Sequence, residues 1–418
     1  MENIQEAVKQ MFRRVGGWRV SLFVMLMAFM VTVVRGLVTW NTVSCLVAFE
    51  ATYGFLAFVL GVVCLRNWRR TGFLLSHVGL LVVIVYGAIG SREIKRMKMT
   101  VGTEEVQSWA SDYDHPERYS QPGFSILLNG FSISTHSSDI SVFSQDGKEI
   151  LRTVVTVNSP VEVDGWKICQ MGYEEKVYEK EYEKEYGEED SSEGGVFSKN
   201  YFSKLQLVRD PWQPCALLGI TMLFFGGLWL LVTTLLRARK DLHGSSLYVF
   251  SSLAITLFIA VCMFYPPLWR KQLMPVLRSP WFAPHIALYI YCYAVLTTAT
   301  IMAVGQFFFR DMKRREVWQK MVDLFVGIGI AVMTLGMLIG AIWAKDAWGL
   351  YWSWDAKETW AAATWLLYLF FLHARKGKRI AYPWAAGLLA LALCCLQMCW
   401  WGVNYLPSAQ ESLHVYDV

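Results

Sequence analysis

Four histidines and one aromatic stretch carry most of the chemistry legible along this chain. The stretch is WGLYWSWDAKETW, residues 348–360, which sets Trp348, Trp352, Trp354 and Trp360 among Asp355, Lys357 and Glu358. The histidines are His77, His285, His373 and His414. Neutral imidazole is a common metal ligand, and aromatic faces hold flat apolar ligands. A bis-histidine haem site needs two imidazoles from different segments facing each other. A porphyrin adds an apolar plane with two anionic propionates, for which Lys345, Lys357 and Arg278 are the nearby basic groups in sequence.

The elements that must position these residues are membrane spans. Of the 418 residues 55% are hydrophobic and 17% charged, with 19 Trp, 24 Phe and 17 Met, far from the mix of a soluble domain. Nine apolar runs are long enough to cross a bilayer, at about 18–38, 43–65, 71–90, 214–236, 246–265, 284–307, 322–343, 358–374 and 382–402. The first is long and lacks a small-residue cleavage site, so a retained span is expected rather than a signal peptide. The fold class is therefore a polytopic α-helical membrane protein of about nine transmembrane helices. Alternate gaps (1–17, 66–70, 237–243, 310–320 and 375–379) hold 18 Lys and Arg, against 5 in the short opposite gaps and the C-terminal tail. By the positive-inside rule the N-terminus is cytoplasmic and the C-terminus outside. The net charge of +5 is loop asymmetry of this kind and is no sign of nucleic acid.

Between the third and fourth spans lies a polar, extracytoplasmic stretch that reads as β-rich. FSILLNGFSIST and EILRTVVTV alternate, and QDGK and VDGW are turn signals. Residues 174–195, dense in Glu, Lys and Tyr, read as a solvated loop or helical excursion. The chain divides into three spans (1–90), the β-rich domain (91–212), a fourth span (213–240) and a larger transmembrane unit (241–418). Cys169 alone among nine cysteines lies in the outside domain and no C-x-x-C occurs, which excludes a disulfide framework and a thioredoxin-like motif.

On this topology the histidines sort by depth. His115 and His136 sit among turn residues outside, and His243 in a cytoplasmic loop. His77 lies about two turns into the third span, roughly 9 Å from its inner boundary, and His373 in the last turn of the eighth, also near the cytoplasm. His285 is at the outer entry of the sixth span, and His414 in the outer tail, on the same side as the tryptophan stretch. Ionisable residues inside spans are costly and mark functional sites by default. An ordinary aromatic belt has no need of Asp355, Lys357 and Glu358 among its rings.

The tryptophan stretch resembles the WWD signature of haem-handling membrane proteins. The contexts LRSPWFAPHIALY, FFLHAR and GVNYLPSAQESLHVY resemble the CcsA (ResC) branch of that family. The front half, with His77 in its third span, VNSPVEVDGWKICQMGYEE, and LQLVRDPW running into LLGITMLFFGGLWLL, resembles its partner CcsB (ResB). The whole chain is thus similar to a compact fusion of the two, a System II cytochrome c synthase. The resemblance implies haem b taken up at His77 and His373 and passed to an outer site. There His285 and His414 are the axial ligands, and Trp348, Tyr351, Trp352, Trp354 and Trp360 line the porphyrin. It implies catalytic roles for Trp348, Trp352, Trp354 and Asp355, in presenting the haem vinyl edge to the C-x-x-C-H cysteines of an apocytochrome c. It also implies a bacterial cytoplasmic membrane and leaves room for a thiol-reducing partner. Ala356 departs from the family, which carries Pro after the WWD Asp. Rival readings keep the same residues: a haem exporter or chaperone, a di-haem electron-transfer protein, or, less in keeping with paired histidines, a transporter without haem.

Overall fold

The computed structural model describes residues 10, 14–37, 43–103, 105–179, 197–241, 274–308, 310–376 and 380–406. Three helices come first: α1 (Trp18–Leu37), α2 (Val43–Arg66) and α3 (Thr71–Glu93). After a β domain follow α4 (Gln213–Asp241), α5 (Phe282–Gly305), α6 (Met312–Trp348), α7 (Ala356–Arg375) and α8 (Tyr382–Trp400). Among the described residues seven helices, all of these but α7, are long and apolar enough to span a membrane. The eighth expected span is α7, a helix with Lys357 and Glu358 in its first turn. The expected span at 246–265 lies outside the described residues. Helix α6 has 37 residues, longer at both ends than the 322–343 run. At 1.5 Å per residue it measures about 55 Å, well beyond the hydrocarbon thickness of about 30 Å.

The helices before and after the β domain do not form separate bundles. Helix α1 packs on α7, and α4 packs on both α3 and α6. Their shared core joins Ala28 and Phe29 of α1 to Val322 and Phe325 of α6 and to Leu367, Tyr368 and Phe371 of α7. Glu50 of α2 is paired at 2.7 Å with Arg92 of α3.

The β domain holds two antiparallel sheets. One has six strands in the order β3-β2-β1-β9-β8-β7, from β1 (Lys95–Val101), β2 (Ala110–Asp112), β3 (Tyr119–Ser120), β7 (Val161–Val163), β8 (Trp166–Glu179) and β9 (Phe197–Arg209). The other is the meander β4 (Phe124–Ser132), β5 (Ser137–Ser144) and β6 (Glu149–Thr156). Alternation buries Ile126, Leu128, Ile140 and Val142 of the small sheet against Ile168, Leu205 and Leu207 of the large one. A buried hydroxyl–amide cluster joins the two: Ser138 Oγ donates to Gln170 Oε1 at 2.7 Å, and Ser203 Oγ to the same oxygen at 3.0 Å. Both expected turns form, with Gly147 closing β5–β6 and Asp164–Gly165, at φ 48° and 76°, closing β7–β8. Residues 174–179 do not loop or form a helix. They extend β8 in register with β9, from Glu174 opposite Phe202 to Glu179 opposite Phe197. Cross-strand pairing outweighs their charge, as Glu174 meets Lys204 at 3.3 Å.

The β domain is seated on the helices by a buried ion pair. Lys345 Nζ of α6 lies 3.3 Å from Asp210 Oδ2, just after β9, and the two side chains are 4% and 1% exposed. Tyr86 of α3 donates to the same oxygen at 2.8 Å, and the Trp212 amide to Oδ1 at 3.1 Å. Removing one member of such a pair leaves the other charged and dry. Asp210→Asn should therefore lower stability by about 3–5 kcal/mol, read as thermal unfolding of the detergent-purified chain. Asp210→Leu combined with Lys345→Met should recover most of that loss.

Candidate functional site

The structure brings His77 and His373 together. His77 of α3 and His373 of α7 face each other with ring centroids 6.3 Å apart and planes 70° apart. Each ring is fixed by its own helix, His77 Nδ1 bonding the Phe73 carbonyl at 2.8 Å and His373 Nδ1 the Leu369 carbonyl at 2.7 Å. A carbonyl only accepts, so Nδ1 carries the proton in both rings and Nε2 carries the lone pair. Phe73 stacks on His77 at 3.7 Å. Two residues beyond His373, Arg375 makes a bidentate pair with Asp323 of α6, both contacts at 3.0 Å, and lies 4.9 Å over Tyr382. This pins the end of α7 and with it the His373 ring. Two neutral imidazoles from different helices at this separation would suit a metal that brings its remaining ligands in a planar macrocycle.

His285 is held in the same manner on the other side of the bundle. It sits in the first turn of α5, and its Nδ1 bonds the Gly336 carbonyl of α6 at 2.8 Å. Tyr289 and Trp343 flank it at 4.8 and 6.1 Å, and Trp343 meets Trp348 edge-on at 5.3 Å. The ring fits only because residue 340 is glycine: a Cβ there would lie 2.6 Å from His285 Nδ1 and Cε1. The turn Pro275–Leu277, which leads into α5, is clamped from two sides. Asn158 of the β domain donates to the Pro275 and Val276 carbonyls at 3.1 and 2.9 Å, and Trp343 Nε1 to Val276 at 3.1 Å. His414 lies outside the described residues.

Seven residues of the tryptophan stretch, 349–355, connect α6 to α7 and are pinned at both ends. Gly349, at φ 82°, ends α6 by donating its amide to the Lys345 carbonyl at 3.1 Å. A side chain at this position would run into Val208 and Cys169 of the β domain, at 2.7 and 3.3 Å. The Trp348 carbonyl accepts from Gln206 Nε2 of β9 at 2.9 Å. At the far end Asp355 is the N-cap of α7, accepting from the Glu358 amide at 2.9 Å, while Glu358 accepts from the Ser353 amide at 2.7 Å. Asp355 thus shapes the loop by capping. Tyr351 is buried under Lys345, whose ammonium lies 5.0 Å over its ring. Trp360 is buried against Gly36 of α1.

Trp354 adopts φ 59°, a left-handed conformation that costs a bulky residue about 1–3 kcal/mol. Its ring is held by Phe49 at 4.9 Å, Tyr53 at 5.7 Å and Trp352 at 5.6 Å. The Trp352 indole Nε1 is buried with no hydrogen-bond partner among the described residues. An indole donor left over beside such a loop fits an anionic or polar ligand.

Of the three basic groups expected near a propionate, Lys345 is buried and engaged by Asp210, Lys357 is half-buried in the first turn of α7, and Arg278 is exposed. Burial pushes the Cys169 thiol up to about 12, so it stays protonated and inert as a nucleophile. Sequence reasoning missed Arg35, Phe49 and Tyr53 around Trp354, together with Asn158, Gln206 and Asp210. An arginine inside the first apolar run was a usable signal, whereas contacts between distant segments left none.

These features define a polytopic membrane protein with a paired-histidine site and an aromatic loop beneath an attached β domain. Residues 66–194 match the ResB-like family, and residues 212–410 the family of the cytochrome c assembly protein. The cytochrome c biogenesis protein CcsA of Cuscuta exaltata is 27% identical over 254 residues, which is 51% of this chain and 82% of its own. That of Chlamydomonas reinhardtii is 34% identical over 157 residues, 35% of this chain and 43% of its own, so the chain spans under half of that relative. The CcsA of Guillardia theta is 31% identical over 172 residues, 34% of this chain and 56% of its own. The chain belongs to the System II cytochrome c biogenesis family as a fusion of a CcsB (ResB-like) unit with a CcsA unit.

Gly340→Ala should displace the His285 imidazole while leaving the bundle folded. Haem retained by a His77→Ala chain, measured from the reduced absorption spectrum, should fall about tenfold on adding it, the scale of losing a ligand's positioning contact.

Proposed function

We propose that this chain carries haem b from an inner site at His77 and His373 to an outer site, and there joins it to apocytochrome c. The spacing of His77 and His373 carries this reading. With metal–imidazole bonds of about 2 Å each, the ring centres of two trans ligands sit roughly 6 Å apart, and those of His77 and His373 are 6.3 Å apart. At the outer site His285 and His414 are the axial ligands. Trp348, Tyr351, Trp352, Trp354 and Trp360 form the aromatic surroundings, with Asp355 holding the loop in shape.

The chemistry suits what these residues offer. Each substrate thiol adds across a vinyl group, sulfur to the inner carbon and hydrogen to the outer one, so no net oxidant is consumed. Such an addition wants ferrous haem, an exposed vinyl edge and close positioning, and its acceleration is chiefly proximity. Neutral imidazoles hold the iron and leave the porphyrin edge open, and the substrate histidine of C-x-x-C-H then replaces one of them. In this reading the protein lies in a bacterial cytoplasmic membrane with its N-terminus inside and the β domain outside, and a separate thiol reductant keeps the substrate cysteines reduced. The units are those divided at residues 90, 212 and 240.

The test is co-expression with a C-x-x-C-H cytochrome c, wild type beside His285→Ala/His414→Ala and His77→Ala/His373→Ala. Wild type should show a six-coordinate reduced haem and yield covalent cytochrome, and each double variant should mature it at background level. Normal maturation by the outer variant would remove the chemistry from that site. Haem binding without covalent product in wild type would favour an exporter or an electron carrier.

A further inference from the structure

At one end of the first two helices lies a patch of arginine and tryptophan that has no part in the haem reading. The turn before α1 packs on the last turn of α2, where Arg66 Nη1 donates to the Gly16 carbonyl at 2.6 Å. A Cβ at residue 16 would lie 2.8 Å from that guanidinium, so glycine permits the approach. The contact brings the pairs Trp18–Arg19 and Trp68–Arg69, each two to three residues along the chain from it, to the same end of the bundle. In both pairs the guanidinium lies over the indole of the preceding residue, at 5.4 Å for Arg19 and 5.0 Å for Arg69. Both indoles are exposed, and so are the side chains of Arg14, Arg19, Arg69 and Arg70.

From this placement we infer that this end of α1 and α2 binds the phosphate headgroup of an anionic phospholipid, with Arg19 and Arg69 as its principal contacts. The site does not depend on the haem reading. Charge complementarity carries it. From 14 to 70 the sequence holds six arginines, no lysine and one carboxylate, Glu50. Glu50 is paired with Arg92 and lies about 24 Å along α2 from Arg66, at the other end of the helix. Such a surface attracts anions. A topological signal needs only positive charge, and the basic gaps RARK, RDMKRRE and ARKGKR mix lysine with arginine. Arginine alone offers the planar fork that meets phosphate oxygens two at a time. A guanidinium laid on a ring face keeps that N–H edge open to a ligand beside the ring. The patch also lies where two apolar spans end, with its indoles at headgroup depth. That position selects a lipid over a soluble anion, because the phosphate is delivered with its chains already in the bilayer.

The test separates a built site from general surface charge. The full chain, purified in detergent, is titrated with phosphatidylglycerol and with phosphatidylcholine, and bound lipid is counted by native mass spectrometry. Wild type should prefer the anionic lipid by about tenfold or more, the scale of two arginine–phosphate contacts. Arg19→Gln/Arg69→Gln should lose most of that preference, and Arg19→Lys/Arg69→Lys should keep part of it. Lys313→Gln/Lys320→Gln, which removes the same charge from α6, should leave it unchanged. All four side chains are exposed, so these changes leave the core in place. If the two glutamine pairs weaken the preference equally, or the arginine pair leaves it intact, the assignment is wrong. Equal binding of the two lipids by wild type overturns it too, as does displacement of phosphatidylglycerol by an equal concentration of glycerol phosphate.

Discussion

The buried contact between Lys345 and Asp210 is the constraint on which the rest of the arrangement turns. It joins the segment before α4, the end of α6 and, through Tyr86, the C-terminal part of α3. Two charges withdrawn from water are tolerated only when the geometry around them is complete, so the three segments hold one relative position or none. That position brings β9 over the end of α6, where Gln206 reaches the Trp348 carbonyl and Val208 closes over Gly349. The aromatic loop inherits its placement from this junction. The turn before His285 does as well, because Asn158 on the same β domain holds it.

Each described candidate ligand histidine follows one local design. A backbone carbonyl takes the Nδ1 proton, from Phe73 for His77, Leu369 for His373 and Gly336 for His285. For His77 and His373 the carbonyl lies one turn back on the same helix, so the tautomer is set by local geometry alone. For His285 it lies on the neighbouring helix, which ties the ring to the packing of α5 on α6 and to the glycine at 340. The His77–His373 pair is therefore built into its own helices, and His285 into an interface.

Much of this was legible in the sequence because the bilayer simplifies the problem. Span length is fixed by membrane thickness and loop charge by insertion, so depth can be assigned residue by residue. Depth alone paired His77 with His373. The β-hairpins were legible from DGK and DGW, since a tight turn with a residue at positive φ leaves a compositional mark. The strand at 174–179 was not, because EEKVYE shows no hydrophobic alternation to mark it. Nor were the partners of Trp354: Arg35, Phe49 and Tyr53 belong to the first two helices, and nothing local in WSWD points there. Lys345 looked like a ligand contact for the same reason, its partner Asp210 being set by tertiary packing.

The packing of α1 on α7 carries a consequence for how the protein is made. Gly36 and Trp360 touch in the finished structure, yet the ribosome reaches the second long after the first. At 5–20 residues per second the delay is on the order of tens of seconds. Through that interval α1 lies in the bilayer with the face that later packs on α7 turned to lipid or to a temporary companion. Biogenesis of the chain is thus paced by translation. The aromatic loop takes its final shape only once α7 has entered the membrane and found α1, inserted well before it.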